Sequence, residues 1–194
     1  GWYAPSLHDP AQAGVADWAP ADVVQLLQTG VSPRGSALGP MAEVVLHSTQ
    51  HLSAADLRAM AAYLQAVPAD GRAAAEMPAA PARVLALGEQ VYGRHCADCH
   101  GERGAGVPLA YPPLAGNRAV RMDNTANLIQ VVLRGGFAPA TAGNPRPFGM
   151  PPFQMVLSDE EVAAVISYIR HAWGNQAGGV SELDVTRHRA QVQR

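Results

Sequence analysis

The sequence predicts an all-α protein, and three patterns predict it. Two stretches carry apolar residues at i, i+3, i+4 and i+7, one face of a helix: Leu57, Met60, Ala61 and Leu64, then Val162, Val165, Ile166 and Ile169. Each stripe follows a serine cap with an acidic residue three positions on, Ser53-x-x-Asp56 and Ser158-x-x-Glu161, the pattern of a helix start. Two shorter apolar runs, Val23–Thr29 and Leu128–Arg134, each stop at a glycine, Gly30 and Gly135. No βαβ pattern accompanies them.

These elements recur in the same order, so the chain contains an internal repeat. Each glycine-stopped helix is followed by a methionine, Met41 after Gly-Pro and Met150 after Phe-Gly, and then by the capped helix, in which Tyr63 and Tyr168 coincide. Between the copies, Val67 to Arg83 holds three prolines, a glycine and no apolar period, which reads as a linker. The expected division is a partial unit at 1–66, a linker at 67–80, a complete unit at 81–175 and a tail at 176–194 that drapes on the core or a partner. The second copy has a leading helix from about Val84 to His95, which the first lacks. The first copy therefore reads as a domain without its front half.

At 194 residues there is room for one ordinary domain or two small ones. Hydrophobic residues make up 48%, enough for a packed core, and charged residues only 15% with a net charge of −2, which argues against nucleic acid as a partner. No run approaches the 18 or so apolar residues of a membrane span. The chain does not start with Met and shows no secretory leader, so a mature, processed or truncated product is expected.

The leading helix of the second copy runs into Cys96-Ala97-Asp98-Cys99-His100, the C-x-x-C-H signature of covalent haem c attachment. Two thiols three positions apart add to the two vinyl groups of one porphyrin, and the following His100 supplies an axial nitrogen to the iron. A zinc site would need two more ligands, and there is no second cysteine pair. A thioredoxin-like dithiol would not need His100. The motif uses both cysteines of the chain, so no disulfide framework remains, and one covalent haem is expected. Attachment of this kind places the protein outside the bacterial cytoplasm or in an organellar equivalent.

A sixth ligand would come from methionine, whose thioether raises the potential relative to a second nitrogen. Met60 lies on a helix stripe and is expected in the core, Met77 falls in the linker, and Met122 falls in a polar segment. Met150, in Phe148-Gly149-Met150-Pro151-Pro152-Phe153, sits in a stiff loop suited to hold one side chain toward a flat ligand, and is preferred over Met155 or an open site. The free ring N–H of His100 needs an acceptor, for which the carbonyl of Pro112 in Tyr111-Pro112-Pro113-Leu114 is the candidate. Leu114 would pack on the haem face. The alternative for both is an ordinary proline-rich turn. His95 is expected to face solvent, and His47, His51 and His171 to be surface or cap residues near helix ends. His8 and His188 are expected in irregular segments. Gly101-x-x-Gly104-x-Gly106 follows the haem motif rather than a strand, which speaks against a phosphate loop.

These residues resemble class I cytochrome c domains. More narrowly, the chain is similar to the C-terminal part of the multihaem cytochrome c subunit of bacterial membrane-bound dehydrogenases of the alcohol and gluconate type. The resemblance rests on Gly1-Trp2-Tyr3-Ala4-Pro5, Gly39-Pro40-Met41, Cys96-x-x-Cys99-His100-Gly101, Tyr111 to Asn117, Met150-Pro151-Pro152-Phe153 and Trp173-Gly174-Asn175. It implies a cytochrome c-like haem domain preceded by a partial one, with Met150 as sixth ligand and Met41 as ligand to a haem whose attachment motif is absent here. It further implies a periplasmic electron-transfer subunit, with attachment to the outer face of the inner membrane as one arrangement, rather than the catalytic subunit. Its partners would be a quinoprotein or flavoprotein dehydrogenase upstream and membrane quinone or an oxidase downstream, with peripheral membrane association. A stand-alone soluble carrier and a haem redox enzyme are the alternatives; a Met150 ligand argues against the latter by filling the position an oxidant would need.

Overall fold

The computed structural model describes residues 1–69 and 78–190, so most of the expected linker, with Met77, lies outside the described residues. Before that stretch come α1 (Pro20–Thr29), a hairpin of β1 (Val31–Ser32) and β2 (Gly35–Ser36), α2 (Pro40–His47) and α3 (Ala54–Ala66). After it come α4 (Ala82–His95), the single turn α5 (Ala97–His100), the short α6 (Arg118–Arg121) and α7 (Ala126–Arg134). A second hairpin, β3 (Gly136–Phe137) with β4 (Gly149–Met150), leads to α8 (Asp159–His171) and α9 (Glu182–Ala190). The helical class is borne out, with two small antiparallel hairpins added.

The repeat has a structural counterpart. Both α1 and α7 end at a glycine of positive φ, 77° at Gly30 and 63° at Gly135, and each opens directly into a hairpin. Helices α3 and α8 are both 13 residues long and serine-capped. The α8 cap is a full box: the Glu161 N–H donates to Ser158 Oγ at 3.2 Å and the Ser158 N–H to Glu161 Oε2 at 2.9 Å. At α3 only half the box forms, because Asp56 is one carbon too short to reach back to the backbone; the Ser53 hydroxyl donates to its carboxylate instead.

Helix α8 is the axis of the core. Val162, Val165 and Ile166 are buried, packed with Val91, Tyr92, Ile129, Leu133, Leu157 and Val185. Helix α4 crosses α8 at backbone contact, because a Cβ on Gly88 would stand 2.1 Å from the carbonyl oxygen of Ala164. This crossing brings the end of α4, and so Cys96, to its place. Helix α3 has no such cover. Met60 is 36% and Tyr63 70% exposed, so the expected core position of Met60 is corrected: the stripe is right, but among the described residues that part of it stays uncovered. The counterpart Tyr168 instead packs on Tyr92 of α4 at 5.6 Å. Met122 is also corrected, from a polar segment to full burial at 2% exposure. Its carbonyl and that of Val120 both accept from the buried guanidinium of Arg170 at 2.7 Å.

The two parts of the chain clasp each other. The Tyr3 N–H donates to Asn127 Oδ1 and Asn127 Nδ2 donates to the Tyr3 carbonyl, both at 2.8 Å. Arg118 pairs with Asp17 at 2.8 Å and donates to the Gly14 carbonyl, while Thr141 Oγ1 donates to the Thr29 carbonyl at 3.2 Å. The tail lies on the core, but as a helix, α9, anchored by the fully buried Val185 and by Arg189, whose Nε donates to Asp159 at 2.5 Å and whose Nη2 donates to the Leu157 carbonyl at 2.9 Å. His188 accordingly lies in a helix, with Nδ1 3.2 Å from Nε2 of the buried Gln130.

Two expectations follow from this packing. Gly88→Ala places a methyl against a backbone carbonyl that has no side-chain freedom to yield, and should lower stability by about 1–3 kcal/mol in chemical denaturation. His188 is held below its ordinary pKa by burial first and also by Arg134, against the opposing Asp184. A depressed histidine pKa leaves stability intact above the unfolded value of about 6.5 and removes it as pH falls below that. Thermal midpoints of the native chain should therefore drop on acidification from neutrality more than those of His188→Gln.

Candidate haem site

One helical turn explains the spacing of the motif. Cys96 closes α4, its N–H donating to the Tyr92 carbonyl at 2.9 Å, and its own carbonyl accepts from the N–H of Cys99 at 3.2 Å and of His100 at 2.9 Å. Positions i, i+3 and i+4 share a helix face, so two thiols and one imidazole are presented together. Both cysteines are free and half-buried. Burial, with Cys99 next, pushes the Cys96 thiol up to about 11, which keeps it protonated near neutral pH. Gly101 ends the turn, and its carbonyl accepts from the Tyr92 hydroxyl at 2.6 Å. Tyr92 further packs against Tyr168 and Trp173, at 5.6 and 5.0 Å between ring centres.

Nδ1 of His100 lies 3.0 Å from the Pro112 carbonyl oxygen. A carbonyl only accepts, so Nδ1 carries the proton and Nε2 is left with its lone pair. Burial lowers the His100 pKa, against the raising effect of that same bond, so the ring is held neutral. The loop that delivers Pro112 is tightly built. The Val107 and Tyr111 backbones exchange two bonds of 2.9 Å, and the N–H groups of Leu114 and Ala115 both donate to the Gly104 carbonyl, at 2.7 and 3.0 Å. At Gly106, with φ of 66°, a Cβ would stand 2.3 Å from the Tyr111 carbonyl oxygen, so only glycine lets the chain double back here.

Asn175 pins the loop to α8. Its Nδ2 donates to the carbonyls of Leu114 at 3.1 Å and Ile169 at 2.7 Å, and its Oδ1 accepts from the Gly116 N–H at 2.8 Å. Sequence reasoning quoted Asn175 only as part of a matching run. Its buried bridging role, like that of Arg170, was not anticipated, although an asparagine just past a helix end is a familiar signal for satisfying late carbonyls.

Met150 sits half-buried in β4, paired with Gly136 and packed against the core, as does Leu114. Met155 is 89% exposed on the turn before α8. Met41 opens α2 and is 49% exposed. His95 is exposed, with its ring edge on Phe153 at 5.9 Å, and His47, His51 and His171 are exposed as expected. Among the described residues there is no group of three or more His, Cys, Asp or Glu that could hold a metal ion, and no helix is long and apolar enough to cross a membrane.

The family model for cytochrome c matches residues 85–173. The chain is 40% identical over 197 residues to the cytochrome c subunit of alcohol dehydrogenase (quinone) from Gluconobacter oxydans (strain 621H), covering 97% of this chain and 41% of that protein. It is 35% identical over 187 residues to the gluconate 2-dehydrogenase cytochrome c subunit of Pantoea cypripedii, covering 91% and 42%. Cytochrome c-552 of Thermus thermophilus is 36% identical over 91 residues, 45% of this chain and 69% of that protein. A turn that presents two thiols and a neutral imidazole, inside the stretch that the model matches and with a cytochrome c-552 covered over 69% of its length, makes the chain a member of the cytochrome c family, with covalently bound haem c as its cofactor. The chain spans about two fifths of the length of the dehydrogenase subunits it matches.

The residues present fit that group. Two thiols and an imidazole oriented with Nε2 free stand on one turn, and the same core holds the half-buried thioether of Met150, groups whose chemistry suits a thioether-anchored porphyrin iron. Cys96, Ala97, Leu114, Leu128, Met150 and Trp173 are all half-buried apolar groups packed on the core, which suits a large flat apolar ligand.

Proposed function

We propose that this chain is the haem-bearing part of a cytochrome subunit that carries electrons from a dehydrogenase toward the respiratory chain. The observation that carries the reading is the His100–Pro112 bond beside two free thiols on one helical turn. In this reading 81–175 is the haem unit and 1–66 a partial copy clasped to it. Cys96 and Cys99 would form the thioether links, and His100 Nε2 and the Met150 sulfur would hold the iron. The Pro112 carbonyl fixes the imidazole, and Leu114 would pack against the bound group.

When bound, haem c supplies a one-electron ferric–ferrous couple. The chain's own task is to hold that couple and leave its ligands unchanged between states. His100 stays neutral, its proton committed to a carbonyl. Met150 is held by strand pairing on one side and by Pro151 and Pro152 on the other. The exposed position of Met155 speaks for Met150 as the sulfur donor.

The donor in this proposal is a quinoprotein or flavoprotein dehydrogenase on the periplasmic face of the inner membrane, and the acceptor is membrane quinone or a terminal oxidase. What supports it is the likeness, over nearly the whole chain, to proteins named as cytochrome subunits of alcohol and gluconate dehydrogenases. Mild detergent extraction of the native protein should bring a dehydrogenase with it. Recovery of a water-soluble cytochrome alone would instead mark a free carrier.

The ligand assignment has its own check. Met150→Ala should lower the midpoint potential by on the order of 0.1 V, within the roughly 0.8 V that axial ligands span, and open the iron to added ligands. An unchanged potential and spectrum would move the ligand elsewhere.

A further inference from the structure

The loop from Ala138 to Phe148 returns to the body of the protein through a hairpin only two residues wide, so the β3–β4 pairing alone fixes Met150 weakly. A second contact restrains the same segment. The ring of Phe148, two residues before Met150, packs against the ring of Tyr111 at 5.2 Å between centres and 56° between planes. Tyr111 also lies 6.5 Å from the imidazole of His100 between ring centres, with 58° between planes. Tyr111 is itself held in place, since its N–H and carbonyl are both bonded to Val107 and the next residue is Pro112, the acceptor for His100. One side chain thus touches the turn that carries the cysteines and histidine, the loop that orients the histidine, and the segment that carries the methionine.

We propose that Tyr111 is a positioning residue that sets the placement of the Met150 segment relative to His100, acting through its ring contact with Phe148. The proposal rests on Met150 being the sixth ligand. Phe148 is 57% exposed, so its partnership with Tyr111 is not a by-product of core packing, and it can be altered without opening a cavity.

The test uses the haem-loaded full chain in the ferric state, and reads the red-region charge-transfer band of methionine bound to iron while imidazole is titrated in to displace it. Loss of an aromatic pair should weaken retention of the sulfur. Tyr111→Leu and Phe148→Leu are each expected to raise imidazole affinity roughly two- to tenfold. The double variant should gain little more than either single one, because both remove the same contact. Tyr111→Phe keeps the ring and should stay within about twofold of the native chain, which a general loosening of the loop would not predict. Should Tyr111→Leu fail to mature, Phe148→Leu and Tyr111→Phe still decide the matter. A native chain without the methionine–iron band overturns both this assignment and the Met150 reading. A native band with unchanged affinity in Phe148→Leu, or with Tyr111→Phe as impaired as the leucine variants, overturns the Tyr111 assignment alone.

Discussion

The crossing of α4 and α8 is the constraint on which the rest of the molecule depends. With no side chain at Gly88, the two backbones meet at the Ala164 carbonyl, and the approach is close enough for Tyr92 to reach past α8's Tyr168 to Trp173. That contact fixes where α4 ends, and α4 ends at Cys96. Everything chemical follows within one turn. A looser crossing would still bury Val91 and Val162, since hydrophobic burial is not directional, but it would not fix the direction in which the cysteines and His100 point. Burial supplies the stability, and the small residue supplies the geometry.

Asn175 and Arg170 serve the same geometry from the other end of α8. Both are buried polar groups spent on carbonyls, Asn175 on Leu114 and Ile169, Arg170 on Val120, Met122 and Gly178. The buried guanidinium is tolerated because its Nε and Nη1 donate to carbonyls that would otherwise go unpaired. Burial lowers its pKa, with Asp123 opposing, yet an arginine remains charged. The loop of residues 101–117, irregular in backbone, is thereby attached through Asn175 to the end of α8.

Local signals in the sequence were legible where the physics is local. The caps at Ser53 and Ser158, the glycine stops at Gly30 and Gly135, and the one-turn spacing of Cys96, Cys99 and His100 each depend on neighbours a few residues away. The Pro112 carbonyl could be named because a histidine that binds metal needs an acceptor, and few loops stand near enough in sequence to offer one. What escaped was set by packing at long range. Periodicity misplaced Met60, since a stripe shows which face is apolar but not whether anything covers it, and the polar neighbourhood of Met122 in sequence says nothing about what Arg170 brings to it in space. The tail escaped for a related reason. Its helix α9 has almost no apolar stripe, and it is held by Val185 and by the pairing of Arg189 with Asp159, thirty residues away.

The two stretches that flank the ligands share one device. Pro112 and Pro113 follow Tyr111, and Pro151 and Pro152 follow Met150, so the segment that orients His100 and the segment that carries Met150 each have few backbone conformations even when unfolded. The entropy lost on ordering such a segment is correspondingly small. A site whose ligands must not move when its charge changes by one gains from this, because segments with little freedom to lose also have few alternative placements to adopt. His100 adds to it chemically: with Nδ1 bonded to a carbonyl and the ring held neutral by burial, the proton inventory of the site is the same before and after an electron arrives. Stiff segments and a neutral, fully committed imidazole together favour transfer of an electron alone, without a coupled proton or a change of ligand.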